Sequence, residues 1–311
     1  MRAGDTAVVS VLEIGGTHVT AADVDTVTRT LVAGRAFGEA VDGQGSAEEI
    51  LAALVRCATP LTGRSAHRWA VALPGPFDYH SGIGRYEGVG KFDALRGFDL
   101  GAALTAALPG ATAVHFCNDA DAFVLGEWWA GAARGHRRAA GITLGTGVGS
   151  CFLHDGRILR HGPGVPPEGR IHTLRYAGRP LEDTVSRRAL RHAYGRATGA
   201  PPPDVRDIAR RARHGDRAAA RVFTHAFTAL GRVLGPILTA FEPTVLVVGG
   251  AIAGAWDLIA RPLRAGLTDT DPALTGRLVI TPAHQPSQAP LLGAAYLATT
   301  GGRPDGPPNP H

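Results

Sequence analysis

Asn118 and Asp119 stand where a strand-like apolar run, residues 113–117, gives way to a helical pattern. A strand that turns directly into a helix places such side chains at the carboxyl edge of a sheet, where open α/β folds bind ligands. Asp119 is therefore a candidate general base, a group that accepts a proton from a reacting hydroxyl. The alternative is that Asn118 or Asp119 only caps the helix, because both residue types are preferred at helix N-termini.

Two glycine-rich turns, each between two strand-like segments, have the composition of anion-binding loops. The first follows the apolar run at residues 7–12, and the second follows the run at residues 140–144. Their backbone N–H groups could approach an anion closely, and two such hairpins facing one cleft would hold a polyphosphate from two sides. A plain hairpin turn is the alternative for either one. The candidate phosphate-binding residues are Gly15, Gly16, Thr17, Gly145, Thr146 and Gly147.

A third glycine signal and one long irregular segment complete the candidate binding elements. Gly249, Gly250 and Ala251 close a strand and open a helical pattern, a position that suits the base or ribose of a nucleotide. Residues 78–98 form an irregular stretch that contains Lys91, the only lysine of the chain. Such a segment in a compact domain is usually a binding loop or a lid, and a surface excursion is the alternative.

Composition favours an ordinary globular protein over a membrane, disulfide-bonded or nucleic-acid-binding one. With 311 residues, 44% of them hydrophobic, the chain is long enough for two globular domains. It has no apolar run of membrane-spanning length and no leader pattern, so we expect a cytoplasmic protein without a membrane partner. The three cysteines are far apart in apolar patterns and are interpreted as core residues. The net charge of +5 comes from arginines spread over helical segments without interleaved aromatic residues, so no nucleic-acid partner is expected.

The order of these motifs resembles that of the ROK family (repressors, open reading frames and sugar kinases) over roughly residues 7–299. The first hairpin of the family reads Asp-Ile-Gly-Gly-Thr, and here Glu13 takes the place of the aspartate. The family's Asn-Asp-Ala pattern, with a Gly-Glu farther along its helix, matches residues 118–120 and 126–127. Its second phosphate loop resembles residues 144–149, and its adenosine motif resembles residues 249–251.

The resemblance implies an α/β protein of the actin-like ATPase (ribonuclease H-like) fold, with two domains that each hold a mixed five-stranded sheet and a cleft between them. The domains would span residues 1–118, completed by a last helix at 289–299, and residues 119–288, before a disordered tail at 301–311. ATP and Mg²⁺ would be the cofactors, and a homodimer is the expected assembly. Asp119 would accept the proton of a hexose 6-hydroxyl as that hydroxyl attacks the γ-phosphoryl group.

Departures from the family pattern affect the remaining site residues. Glu13, expected on the nucleotide side, is one methylene longer than aspartate, which alters its reach to a magnesium-bound water. No cysteine follows His172, so the thiolate zinc module of the family cannot form, and no structural zinc or other protein-bound metal is expected. Glu168, His172 and Glu182 resemble the zinc-free form of the sugar-binding region, which Asn118 and Asp119 would complete. The alternative is a polar loop before a helix capped by Glu182.

The leading hypothesis is an ATP-dependent kinase of a glucose-like sugar, with glucose, glucosamine and kanosamine (3-amino-3-deoxyglucose) as candidate substrates. The arginine-rich, lysine-poor composition suits ansamycin-producing actinobacteria, whose kanosamine kinases, used in antibiotic biosynthesis, belong to this family. An N-acetylmannosamine kinase and a catalytically weakened sugar sensor are alternatives. A repressor is not expected, because family repressors carry a helix-turn-helix domain before the first hairpin and only six residues precede that strand.

The expected sugar-binding residues are acidic and have no certain cation beside them unless Lys91 reaches in. A protonated amine gains more from a nearby carboxylate than a neutral hydroxyl does. An amino hexose is therefore expected to be phosphorylated at least as efficiently as glucose.

Overall fold

The computed structural model describes residues 8–61, 68–108 and 110–300. Within this part the chain forms two compact units: the first runs to Gly131 and resumes at Ser287, and the second runs from Ala132 to Pro286. The tail expected to be disordered, residues 301–311, lies outside the described residues, as do residues 1–7 of the first expected domain. No helix in the described part is both long enough and apolar enough to cross a membrane.

The first unit is built on a mixed five-stranded sheet. Its elements up to residue 130 are β1 (Val8–Ile14), β2 (His18–Asp25), β3 (Thr30–Ala40), α1 (Ala47–Ala58), β4 (Arg68–Leu73), β5 (Phe77–Asp78), β6 (Ile83–Gly84), α2 (Leu100–Ala107), β7 (Ala113–Asn118) and α3 (Asp119–Ala130). The strand order is β3-β2-β1-β4-β7. Neighbours from β3 to β1 are antiparallel, whereas β1, β4 and β7 are parallel.

The second unit repeats this arrangement with different strands. Its elements are β8 (Arg138–Leu144), β9 (Val148–His154), β10 (Arg157–Leu159), β11 (Arg175–Tyr176), β12 (Arg179–Pro180), α4 (Glu182–Val185), α5 (Arg187–Thr198), α6 (Val205–Arg213), α7 (Arg217–Phe241), β13 (Val245–Gly249), α8 (Trp256–Thr268), α9 (Leu274–Arg277) and β14 (Val279–Pro282). The order β10-β9-β8-β13-β14 again joins an antiparallel hairpin pair to parallel strands. The predicted pair of mixed five-stranded sheets is confirmed.

The apolar pattern of β1 explains why the first sheet carries helices on both faces. Val9 and Val11 are buried in one cluster with residues of α3, while Leu12 and Ile14 are buried in another with residues of α1 and α2. Successive strand residues point to opposite faces, so a nearly continuous apolar run needs a helical layer on each side. The cysteines are likewise buried and form no disulfide in the described part.

The last helix, α10 (Ala289–Thr300), belongs to the first unit and packs closely on α3. A Cβ on Gly126 would lie 1.9 Å from the carbonyl oxygen of Ala289, and a Cβ on Gly293 would lie 1.8 Å from that of Ala122. The two backbones therefore approach where only glycine fits. This packing puts α3 in the first unit, whereas the sequence analysis assigned residues 119–130 to the second domain.

Gly126→Ala should lower the free energy of unfolding by about 1–3 kcal/mol or more, because the added methyl group must displace the α10 backbone. Gly276→Ala is the matched control, since a Cβ at that exposed position of α9 meets no atom within 4 Å. Alanine there should be neutral or stabilising by about 0.5–1 kcal/mol. Denaturant unfolding compares the two variants, and equal midpoints would contradict the close contact of α3 with α10.

Candidate functional site

Asn118 and Asp119 have separate roles at the junction of β7 and α3. The side-chain oxygen of Asn118 accepts hydrogen bonds from the N–H groups of Ala120, at 3.0 Å, and Asp121, at 3.3 Å. Its Nδ2 donates to the Tyr79 hydroxyl at 3.0 Å. Asn118 is therefore the N-cap of α3, and Asp119 is the first residue of the helix. Of the two residues, Asn118 is the one that caps the helix, so the helix does not require the Asp119 carboxylate as its cap.

Burial raises the pKa of the Asp119 carboxyl above its ordinary value. The Ala120 N–H, which Oδ1 accepts at 2.9 Å, and the positive charge of Lys91 both oppose this rise, while Asp121 adds to it. A carboxylate that keeps a proton more tightly than usual is also a stronger proton acceptor. The junction thus holds a carboxyl group whose pKa is altered by its surroundings.

Two tyrosines extend the polar surroundings of Asp119 in the first unit. Burial raises the pKa of both Tyr79 and Tyr86, and the charge of Asp119 adds to each shift. Their hydroxyls donate to backbone carbonyls, Tyr79 to Leu73 at 3.3 Å and Tyr86 to Pro74 at 2.6 Å. The segment after β4 is therefore tied to the junction through Tyr79, which the sequence analysis did not single out.

The first glycine turn keeps two of its three predicted backbone donors for a ligand. The Gly15 N–H closes the turn by donating to the His18 carbonyl at 2.8 Å. No such bond is made by the N–H groups of Gly16 and Thr17 within the described residues. Thr17 is exposed, and its hydroxyl can add a further donor. The turn can thus bind an anion through Gly16 and Thr17 rather than through Gly15.

Glu13 lies one residue before the end of β1 and is partly buried. Burial raises the pKa of its carboxyl, His18 lowers it, and the charge of Asp119 raises it further. Glu13 and Asp119 are thus close enough to influence each other. Among the described residues, no three His, Cys, Asp or Glu side chains could hold a metal ion. A magnesium ion that arrives with phosphates needs only one or two carboxylates, so Glu13 could hold such an ion.

The second glycine turn is built in the same way. The Gly145 N–H donates to the Gly147 carbonyl at 3.0 Å, which leaves Thr146 as the exposed residue of the turn. Glu182 lies beside it: its Oε2 accepts the Val148 N–H at 3.4 Å and would be 3.3 Å from a Cβ on Gly147. The predicted sugar residue Glu182 and the predicted phosphate turn are therefore direct neighbours.

A cavity of about 300 Å³ in the second unit brings the second and third glycine motifs together. Its lining includes Gly145, Thr146, Ala251, Arg187 and Asp204, the last two joined as an ion pair. Gly250 has a φ of +83°, and a Cβ there would lie 2.4 Å from the Leu144 carbonyl oxygen. Only glycine allows this approach. The Gly-Gly-Ala segment is thus held against β8, the strand that leads into the second glycine turn. The residues of α5 and α6 that line the cavity belong to no sequence motif and were not predicted.

Glu168 and His172 belong to a segment anchored on β9. The Ser150 hydroxyl donates to the Gly169 carbonyl at 2.6 Å and accepts the Ile171 N–H at 3.0 Å. Glu168 is exposed and has a φ of +56°, whereas His172 is partly buried. Glu182 approaches the same strand at Val148. All three predicted sugar residues are therefore positioned from β9, with Glu182 the one in contact with the glycine turn.

Lys91 is the functional candidate whose position the sequence left open. A Cβ on Gly16 would lie 3.5 Å from its Cδ, so the side chain passes along the first glycine turn. Its charge also lowers the pKa of Asp119. The sequence marks Lys91 as unusual, because it is the only lysine of an arginine-rich chain, but this does not predict where its side chain lies.

The raised pKa of Asp119 predicts that replacing this carboxyl group stabilises the fold, whereas most substitutions destabilise a protein. A carboxyl whose pKa is higher in the folded state destabilises the fold as pH rises through that pKa, and has no such effect below its unfolded value near 3.8. Asp119→Asn should therefore be more stable than wild type at pH 7, by an amount that shrinks towards pH 3.8. Denaturant unfolding at both pH values measures the difference. If the stability of wild type relative to the variant instead increased as pH rises, the direction of this pKa shift would be contradicted.

Known proteins resemble this chain along most of its length. The glucokinase of Thermotoga maritima is 32% identical over 202 residues, and the match covers 58% of this chain and 64%, less than two thirds, of that protein. The ROK hexokinase structure from Thermus thermophilus is 27% identical with a TM-score of 0.74, covering 94% of this chain and 98% of that one. A Streptomyces griseus ROK glucokinase in complex with glucose and AMPPNP is 24% identical, with 94% and 99% covered and a TM-score of 0.74.

These structures share the fold of the chain, so the predicted actin-like ATPase fold is confirmed. The family model described as "ROK family" matches residues 9–301, nearly the whole sequence. The chain therefore belongs to the ROK family.

Proposed function

We propose that the protein is an ATP-dependent sugar kinase that transfers the γ-phosphoryl group to the 6-hydroxyl of a glucose-like hexose, with Asp119 as general base. The observation that carries the proposal is the Asp119 carboxylate, which is partly buried, has a raised pKa and is not needed as the helix cap. It lies in the same unit as a glycine turn with donors left for an anion. Phosphoryl transfer requires mainly positioning and charge neutralisation, which these groups can supply.

The nucleotide is assigned to the glycine motifs. The cavity lined by Gly145, Thr146 and Ala251 supports a nucleoside site, because it joins the second glycine turn to the end of the Gly-Gly-Ala segment. In the first unit, Gly16 and Thr17 are the proposed phosphate donors, and Glu13 would hold the magnesium ion through a carboxylate or its bound water. That ion, when bound, neutralises charge on the phosphates. The names of the Thermotoga, Thermus and Streptomyces relatives support a hexose kinase.

The charge near Asp119 changes the expected choice of sugar. The expectation of an amino hexose assumed carboxylates without a cation, but the Lys91 side chain passes along the first glycine turn and its charge lowers the pKa of Asp119. A second positive charge on the sugar would be repelled by Lys91, which offsets its attraction to the carboxylates. We therefore propose glucose or another neutral hexose as the main substrate, with kanosamine and glucosamine phosphorylated less efficiently. The sugar would contact Asn118, Asp119, Glu168, His172 and Glu182.

A coupled assay of ADP release with purified protein, MgATP and a panel of sugars tests the proposal. The panel contains glucose, glucosamine, kanosamine and N-acetylmannosamine, and product analysis identifies the phosphorylated hydroxyl. Turnover of glucose above both amino sugars at neutral pH is the expected result. Binding of sugar without turnover of any member would instead indicate a sensor.

Asp119→Asn should lower kcat by a factor of about 10²–10⁴, because it removes the proton acceptor and retains an amide of nearly the same shape. Asp99→Asn is the matched control: Asp99 caps α2 by accepting the Ala102 N–H at 2.8 Å, a role that asparagine fulfils equally well. Steady-state kinetics of both variants measure the difference. An Asp119→Asn enzyme that keeps more than about a tenth of wild-type turnover would remove Asp119 from the role of base.

Glu182→Gln should raise the KM for the hexose by about 5- to 150-fold, the equivalent of a lost hydrogen bond to a buried polar group at about 1–3 kcal/mol. The KM for ATP should change less, even though Glu182 contacts the second glycine turn. Asp183→Asn is the control on the same helix, since Asp183 is exposed and pairs with Arg188. A change in the KM for ATP alone would indicate that Glu182 contacts the nucleotide rather than the sugar.

A further inference from the structure

We propose that Lys91 is a further catalytic residue of the sugar kinase, whose ε-ammonium binds the phosphoryl group in transit and holds it beside Asp119. The inference rests on the proposed kinase function and concerns a residue that the motifs of the chain leave unassigned. It depends on three features: the path of the Lys91 side chain, the contacts that fix its loop, and the absence of a protein partner for its charge.

The path of the side chain follows the first glycine turn. A Cβ on Gly16 would lie 3.5 Å from Cδ of Lys91, and a Cβ on Gly43 would lie 3.4 Å from its Cβ. The methylene stem thus passes over Gly16, whose N–H is one of the donors left for an anion. The ammonium is two bonds beyond this Cδ and is therefore within reach of an anion bound at the turn.

The loop that carries Lys91 is fixed on both sides of it. The Asp93 carboxylate accepts the N–H groups of Val89, at 3.1 Å, and Gly90, at 3.2 Å. Phe92 is fully buried with a φ of +61°, and its N–H donates to the Gly43 carbonyl. A Cβ on Gly43 would in turn lie 2.9 Å from the Gly16 carbonyl oxygen, so the Gly43 backbone packs directly on the turn. These contacts hold the Lys91 backbone in place against the first glycine turn.

The charge of Lys91 has no carboxylate partner. In the described part of the chain no acidic side chain lies within 4.0 Å of its ammonium, although its charge lowers the pKa of Asp119. Arg96, in the same loop, is paired with Glu87 at 2.8 Å. A partly buried lysine whose stem lies on the first glycine turn and whose charge has no carboxylate partner in the described part is suited to an anion bound at that turn.

In the proposed step, Asp119 takes the proton of the sugar hydroxyl, whose oxygen forms a bond to the γ-phosphorus of ATP. The bond from that phosphorus to the bridging oxygen breaks, and its electron pair leaves with ADP. Lys91 stays protonated throughout and donates hydrogen bonds to the equatorial oxygens of the transferred group, where negative charge is spread in the transition state.

Lys91→Met tests the charge, because methionine keeps most of the apolar stem over Gly16 and removes the ammonium. We expect kcat to fall about 10²–10³-fold, the usual effect of removing one transition-state donor, with the hexose KM changed less than about threefold. Lys91→Arg should recover at least about tenfold of the loss, since it restores a donor with a positive charge. Arg96→Met, which removes the paired cation of the same loop, should leave kcat unchanged. A Lys91→Met enzyme with normal kcat and a lower unfolding midpoint would show that Lys91 only supports the loop.

Amine-selective acylation gives a second readout that needs no turnover. Lys91 is the only lysine of the chain, so the reagent has one side-chain target and the N-terminal amine as internal control. AMPPNP, Mg²⁺ and glucose together should slow labelling of Lys91 by at least about tenfold, with the N-terminus unaffected. Equal labelling of Lys91 with and without these ligands would overturn the proposal. Wild-type protein without turnover of any sugar would contradict the kinase function, whereas full activity of Lys91→Met contradicts the role of Lys91 alone.

Discussion

The junction between β7 and α3 is the constraint on which the first unit depends. Asn118 supplies the cap of α3 with its carbonyl oxygen and contacts Tyr79 with its amide nitrogen, so a single side chain fixes both the helix and the segment after β4. Because Asn118 caps the helix, the Asp119 carboxylate remains partly buried without an ion pair in the described part. Burial of a carboxylate is unfavourable, which the raised pKa expresses. Groups with perturbed pKa values cluster at functional sites, which is consistent with the proposed role of Asp119 as a base.

The rigidity of that position comes from helix packing rather than from the junction itself. Most of α3 is buried, and its apolar residues surround the whole helix instead of forming one stripe. Such a helix needs neighbours on all sides, and α10 provides one by packing where only Gly126 and Gly293 leave room for the two backbones. Catalytic groups are held most accurately on elements that cannot move relative to the core. Helix α10 thus helps to hold α3, and with it Asp119, in place.

Sequence reasoning predicted the parts of the structure that local patterns determine. The apolar runs at residues 7–12, 113–117 and 140–144 correspond to β1, β7 and β8, and the glycine turns lie where β1 and β8 end, because hydrophobic period and turn chemistry are local signals. The short strand β10 was not predicted. The exact donors were not predicted: in each turn the first glycine N–H is used internally, at Gly15 and Gly145. The unit to which α3 belongs depends on α10, about 160 residues later in the chain. The position of Lys91 depends on Gly43 and on the left-handed Phe92, contacts that no local pattern encodes.

The two glycine turns occupy equivalent places in two sheets of equal strand order, yet their surroundings differ in charge. Ile14 pairs with Val19 across the first turn, and Leu144 pairs with Val148 across the second, so the first turn is one residue longer. His18, which follows the first turn, lowers the pKa of Glu13, and Lys91 lowers that of Asp119, so a basic side chain opposes the rise that burial causes in the pKa of each carboxyl. The second turn has Glu182 at its side and an open cavity beyond Thr146. One topology therefore gives two different surroundings: basic side chains lie near the carboxylates at the first turn, whereas an open cavity lies beside the second.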